Sequence, residues 1–480
     1  MIRRDRNSAR GLGALAVAAT IGLIAPTLPA SDVEDLQPAA QVSSADALAQ
    51  VESLSAEGKW SEAIEPAEQL ARAVAEKSGP KSLAYAEALT RVAELQRRAG
   101  DFTNAELGFA NAIAITEART GGLSGRLIEP LTGLGLTYAD MREHARAAPV
   151  LERAVLTIRR NRGLFDVSQI DLLAQLATSQ TQIREFESAV NTLRYRVRVA
   201  EQAWGPDDPR VAGPVSDLAD WYSRASAYDV ARSYYRAAIE RAEKGGGPDH
   251  VALVEPLRGL AENSMRAFVF GEIIEREDLA PPTSTALMFD QTRDDPRPGN
   301  RRRLNRESED ALERALGILR TRPEGASGIE LAATLLQAGD WYLAKGDTET
   351  AHARYREAWD LSQNDPDVLA ATQGADADAT VLGYPVAIYL PGGGLDRRSR
   401  DIPEDESVEH FVLTEFTVAE NGSLHAIEVI ETDASERQAR DTVAALEAAI
   451  YRPQYVEGKP VVTTGVRYRD VYRERRSDGA

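Results

Sequence analysis

Five histidines, His144, His250, His352, His410 and His425, are the side chains of this 480-residue chain best suited to acid–base work or metal binding, and they do not cluster. There is no His-Glu-x-x-His spacing to place two imidazoles on one helix face. With no cysteine the chain also lacks thiolate ligands, a thiolate nucleophile, disulfides and a lipidation site. Gly392-Gly393-Gly394 lacks the frame of a phosphate-binding loop, and Gly458-Lys459 runs into Pro460 where such a loop needs Ser or Thr. Gly122-Leu123-Ser124-Gly125 is not a nucleophile elbow, and Asp376 and Asp378 lack the remaining ligands of a calcium loop. These residues predict no enzyme, no metal and no cofactor. A formal charge of −19 and a pI near 4.9 argue against a nucleic-acid partner, which needs a basic face, and favour basic partners instead.

Any binding surface must be positioned by a repeat. Gly79, Gly121, Gly163, Gly205 and Gly247 recur every 42 residues, three of them followed by Pro80, Pro206 and Pro248, with helix-forming sequence between. The first helix of each period carries an apolar face at i, i+3, i+4 and i+7, as in Leu131, Leu134, Gly135 and Tyr138 or Val215, Leu218, Ala219 and Tyr222. Its third position is always Ala or Gly (Ala93, Gly135, Ala177, Ala219, Ala261). The second helix answers with Ala105, Ala147, Ala189 and Ala231, so the helices of a hairpin should meet through side chains too small to hold their backbones apart. Phe109, Leu151, Leu193 and Tyr235 should fill the space toward the next hairpin. Phe102 and Phe186, and His144 in the same slot, are expected in the core.

This spacing of large, small, aromatic and paired alanine positions resembles the tetratricopeptide repeat, and the long period with GPDDPRVAGPVSDLADWY resembles its kinesin-light-chain variety. The resemblance implies an α-solenoid of seven helical hairpins over residues 37–362. An insertion near 271–306 should interrupt it, because PPTSTALMFDQTRDDPRPGNRRRLNRE shows turn residues and no helical period. Arg293, Arg297, Arg301, Arg302, Arg303 and Arg306 make that insertion either a docking loop for an anionic surface or a solvated loop folded back on the protein's own acidic groove. Residues 1–30 read as an export signal, with Arg3, Arg4, Arg6 and Arg10 before the apolar run LGALAVAATIGLIA, which is shorter than the ~20 residues needed to span a bilayer. Residues 363–382 read as a capping helix and linker.

From Gly383 the apolar period changes to 2. Phe411–Val418 and Leu424–Glu431 flank the turn Glu420-Asn421-Gly422 as a hairpin, Ser435 with Gln438 opens a helix whose face is Ala439, Val443, Leu446 and Ile450, and VVTTGVRYRDVY forms a last strand. Gly383-Tyr384-Pro385, FTVAENGSLHAIEVIE, Ile450-Tyr451-Arg452-Pro453 and Gly458-Lys459-Pro460-Val461 resemble the C-terminal domain of TonB over residues 383–476. The fold is thus expected to be mostly α, with a small β-β-α-β domain after the solenoid. The resemblance implies that the last strand adds an extended peptide to a sheet edge, with Val462, Thr464, Val466, Tyr468 and Tyr472 as the binding residues and a TonB-dependent outer-membrane receptor as one candidate partner. Arg467, Arg469 and Arg473 on that strand serve equally well as charges that prevent unwanted pairing.

The tetratricopeptide resemblance further implies a concave wall built of first-helix residues. Glu52, Glu87, Glu94, Glu129, Asp171, Asp220, Glu255, Glu262 and Asp340 should lie on it, opposed only by Arg97 and Arg258. Such a groove would take a protein or peptide with basic or extended segments. The sequence therefore predicts a non-enzymatic periplasmic scaffold. The alternative is a TonB-type energy-transducing component, held at the inner membrane by an uncleaved N-terminal segment. The interruption PGGGLDRRSRDIPEDESVE and the lack of a Pro-rich rod depart from that alternative.

Overall fold

The computed structural model describes residues 44–274, 298–321, 328–373, 382–389 and 407–475. The expected export signal, Asp376 and Asp378, Gly392–Gly394, Arg293 and Arg297 lie outside them. No helix of the described residues is long and apolar enough to cross a membrane.

Glycine sets the period. Gly79, Gly121, Gly163, Gly205 and Gly247 each end a helix with φ between +83° and +114°, backbone that a Cβ would strain. Between these stops run α1 (Ser44–Ala56) with α2 (Trp60–Ser78), α3 (Leu83–Arg98) with α4 (Phe102–Thr120), α5 (Ile128–Asp140) with α6 (His144–Arg162), α7 (Gln169–Gln182) with α8 (Phe186–Trp204) and α9 (Ala212–Arg224) with α10 (Tyr228–Gly246). Two more hairpins, α11 (Val254–Ile274) with α12 (Pro298–Arg320) and α13 (Gly328–Lys345) with α14 (Thr348–Asn364), complete seven among the described residues, and α15 (Pro366–Gln373) packs on the last. First helices also touch the first helix of the next repeat, α3 with α5, α5 with α7, α9 with α11 and α11 with α13, so they form the inner wall of a helical solenoid.

The small residues are where the helices touch. Ala93, Ala105, Ala147, Ala189, Ala219 and Ala231 have no exposed surface. A Cβ on Gly135 would come within 2.5 Å of Leu151 Cδ2 in the same hairpin. Between hairpins, a Cβ on Gly133 would lie 2.2 Å from the Phe109 ring and one on Gly259 2.2 Å from the Tyr235 ring, so these large second-helix residues do pack on the following repeat.

Two expectations are corrected. Helix α12 already begins at Pro298, so Arg301, Arg302, Arg303 and Arg306 belong to a helix instead of a structureless insertion. Pro at the first position and the following Arg and Leu residues favour a helix even without an apolar face. Phe186, which opens α8, is 49% exposed, and His144 is only half-buried with Nδ1 3.4 Å from Ser179 Oγ, so the first position of the second helix is no core slot.

The C-terminal strands are β1 (Val386–Tyr389), β2 (Ser407–Val418), β3 (Leu424–Thr432), β4 (Ile450–Arg452), β5 (Gln454–Val456), β6 (Lys459–Val461) and β7 (Thr463–Arg475), with α16 (Glu436–Glu447) between β3 and β4. Ser435 and Gln438 form the capping box that opens α16. An antiparallel sheet of order β3-β2-β7 lays Phe416 and Val418 against Leu446 of α16. Three short strands that the sequence reading did not separate, β4, β5 and β6, intervene before β7; β4 pairs with β1, and β5 with β6. This part is joined to the solenoid core, which includes Leu382 and Tyr455.

Candidate partner-binding surfaces

Along the inner wall the expected carboxylates carry more cations than the sequence count allows. Arg126 pairs with Glu87, Arg97 and Arg98 with Glu94, Arg224 with Asp220 and Arg266 with Glu262. The picture of a wall opposed only by Arg97 and Arg258 is corrected, because an arginine four residues on reaches back along its own helix. Glu129 and Asp171 are exposed. Burial, then the like charge of Asp217, pushes the Glu255 carboxyl up to about 7 against the opposing pull of Arg196 and Arg258, although its residue as a whole remains exposed. Asp220 is also raised, first by burial.

Repeats four and five bring part of this wall together into a trough of about 590 Å³ between α7 and α9. Ala177 and Leu193 form its apolar part, Phe186 and Trp221 its aromatic walls, and Asp217 and Asp220 its charge. Trp221 is fixed by its indole N–H, which donates to Thr181 Oγ1 at 3.1 Å. Of the sequence-predicted groove residues only Asp220 lines this trough. Phe186 and Trp221 escaped because one was expected in the core and the other lies beside the packing face; the 42-residue register could have found both.

At the end of the stack Asp340 does not face an open groove. It accepts Arg452 Nε at 2.8 Å and Nη2 at 2.5 Å, and the Tyr355 hydroxyl donates to it at 2.8 Å. Arg452 is 1% exposed and its guanidinium lies 5.7 Å from the Tyr355 ring centre. Tyr455 packs edge-on to Tyr355 at 5.5 Å, and its hydroxyl meets His352 Nδ1. Burial lowers the His352 pKa, which favours the neutral ring. The residues after α16 therefore close the last hairpin much as an eighth repeat would.

Strand β7 is an edge, since its one sheet partner among the described residues is β2. Three of the five side chains expected to meet a peptide point elsewhere. Val466 and Tyr468 pack into the core under α16, and the Tyr472 hydroxyl donates to Gln438 O at 3.0 Å. Val462 lies before the strand, 55% exposed, and Thr464 is exposed. On the other face Arg467 pairs with Glu415 at 2.9 Å, Arg473 with Glu409 at 2.7 Å, and Arg469 covers the Phe411 ring at 4.2 Å.

The remaining histidines stay apart: His250 Nδ1 accepts from the Ala252 amide at 3.1 Å, His410 lies 3.8 Å from Asp433, and His425 contacts Ser423 at 3.0 Å. No protein-family profile and no curated protein sequence matches the chain. Among solved structures, BtubC (BKLC) from P. vanneervenii is 15% identical with a TM-score of 0.39, covering 55% of this chain and 90% of its own. Kinesin-light-chain TPR-like repeats from Podosopora anserina are 16% identical with a TM-score of 0.38, covering 42% of this chain and 95% of theirs. YrrB, a TPR protein with an unusual peptide-binding site, is 14% identical with a TM-score of 0.30, covering 52% and 92%. The fold assignment rests on the seven helix pairs themselves.

Proposed function

We propose that the protein is a non-enzymatic, exported periplasmic scaffold. Its solenoid groove holds a protein or peptide with basic or extended segments, and its C-terminal TonB-like part offers the backbone of β7 to an extended strand. The trough between α7 and α9 carries this reading: an apolar, aromatic-walled hollow with carboxylates is built to grip a side chain. The edge position of β7 among the described residues supports the second half, because an edge strand can pair with an added strand without rearranging the sheet. Binding of random peptide libraries to the full chain at low and high salt tests the groove. Basic extended peptides should be selected and weaken with salt, and the triple variant Glu94→Lys, Asp220→Lys, Glu262→Lys should reverse the preference. Preference for acidic peptides, or selectivity untouched by the variant, would refute it.

A further inference from the structure

The trough and the closed end of the solenoid share a signature. Asp220-Trp221-Tyr222 recurs 120 residues later as Asp340-Trp341-Tyr342, and Tyr235 recurs as Tyr355. At the second copy Ala344 stands where the first has Arg224. With no arginine on its own helix, Asp340 takes the fork of Arg452, which arrives on β4 next to Tyr451. At the first copy Arg224 holds Asp220 at 2.7 Å while keeping 72% of its side chain in solvent. Its neighbours are far better anchored: Arg196, on Asp217, is 9% exposed and Arg266, on Glu262, 29%. A solvent-exposed pair one turn apart contributes little, so Arg224 is easily exchanged.

We propose that the trough recognises an extended segment of a partner protein in which a large apolar or aromatic residue stands next to an arginine. The apolar side chain enters between Phe186 and Trp221 over Ala177 and Leu193, and the guanidinium displaces Arg224 from Asp220. Arginine is selected over lysine because its planar fork engages both carboxylate oxygens, as Arg452 does at Asp340. Arg452 reaches its carboxylate from the end of the stack; α11 covers the corresponding side of α9, so at Asp220 the ligand comes through the trough. The proposal rests on the groove reading above and names the ligand of that groove.

The probe is a fluorescein-labelled peptide reproducing residues 449–456, Ala-Ile-Tyr-Arg-Pro-Gln-Tyr-Val, titrated with the full chain by anisotropy. Citrulline in place of its arginine keeps the shape and removes the charge. A charge-assisted hydrogen bond is worth roughly one to two factors of ten, so citrulline in the peptide and Asp220→Asn in the protein should each weaken binding about tenfold or more. Arg224→Ala, which copies the Ala344 arrangement and leaves the core untouched, should tighten it severalfold, and Asp340→Asn should not affect it at this site. Equal affinity for the citrulline peptide, or no gain in Arg224→Ala, overturns the proposal, and the second readout holds even if Asp220→Asn folds poorly. If library peptides bind but ignore Asp220→Asn, the groove stands and this site falls; if no peptide binds at all, both fall.

Discussion

Replacing Arg452 by alanine should release the C-terminal strands from the solenoid. The substitution removes both hydrogen bonds to Asp340, at 2.8 and 2.5 Å, and the guanidinium packed on Tyr355. It leaves behind a carboxylate whose side chain is only 17% exposed, with the Tyr355 hydroxyl as remaining partner. Breaking a buried pair by removing one member is destabilising by ~3–5 kcal/mol, and the partial access of Asp340 to water argues for the lower end, about 3 kcal/mol. Because a repeat array need not unfold in one step, amide hydrogen exchange is the right assay. The Tyr451 amide donates to Gly422 O at 3.0 Å, beside Leu343 of α13, and the Tyr455 amide to Leu382 O at 2.8 Å, so both amides lie where these strands meet the solenoid. A loss of about 3 kcal/mol corresponds to roughly a hundredfold faster exchange at these two amides, with little change in α5 to α8. A double-mutant cycle with Asp340→Ala should show coupling well above ~0.5 kcal/mol. Exchange at Tyr451 and Tyr455 within threefold of the parent would refute the reasoning, because the buried pair would then hold nothing together.

Ala219→Leu should destabilise the solenoid by ~1–3 kcal/mol through overpacking, measured as a fall in Tm. Ala177→Leu should lose less, since Ala177 borders the trough and its leucine has room; equal losses would contradict the placement of the trough. Glu255 is held more protonated in the fold than in the unfolded chain, so its contribution favours folding below pH ~4.5 and is lost as pH rises toward 7. Glu255→Gln should therefore remove that decline and leave the protein the more stable of the two at pH 8, by about 1 kcal/mol or less after solvent screening; parallel pH curves for the two proteins would refute it. Ala344→Arg places a rival for Asp340 on its own helix and should speed exchange at Tyr451 and Tyr455, but less than Arg452→Ala does; no change would mean that residue 344 cannot reach the carboxylate.

Much of the fold was legible because local rules and packing agree. The 42-residue glycines are readable since positive φ excludes other residues, and the alanine positions are readable since two helices can approach only where side chains are small. Helix α12 was harder at its start: Arg301 to Arg303 have good helix propensity but no apolar face, and periodicity alone misses a helix that carries none. On β7 the alternation was read correctly, yet Val466, Tyr468 and Tyr472 lie on the face that α16 covers. Period 2 separates two faces of a strand; it does not say which of them the protein keeps for itself.

The carboxylates of the inner wall show the same limit and a way past it. One position of the repeat reads Glu94, Leu136, Thr178, Asp220, Glu262 and Asp340 through successive hairpins, and the residue four further on reads Arg98, Asp140, Gln182, Arg224, Arg266 and Ala344. Three of the four acids thus have an arginine on their own helix, and each pairs with it. The exception, Asp340, is the one that a distant arginine buries. A burial-prone carboxylate without a local cation must stay wet, take a proton or receive a cation from elsewhere, and the last is what the fold does through Arg452. The identity of an acidic residue on a repeat therefore says less about binding than the residue one turn beyond it. By that measure Asp220, with its loosely held Arg224 above an aromatic-walled hollow, stands between the self-satisfied pairs and the captured Asp340.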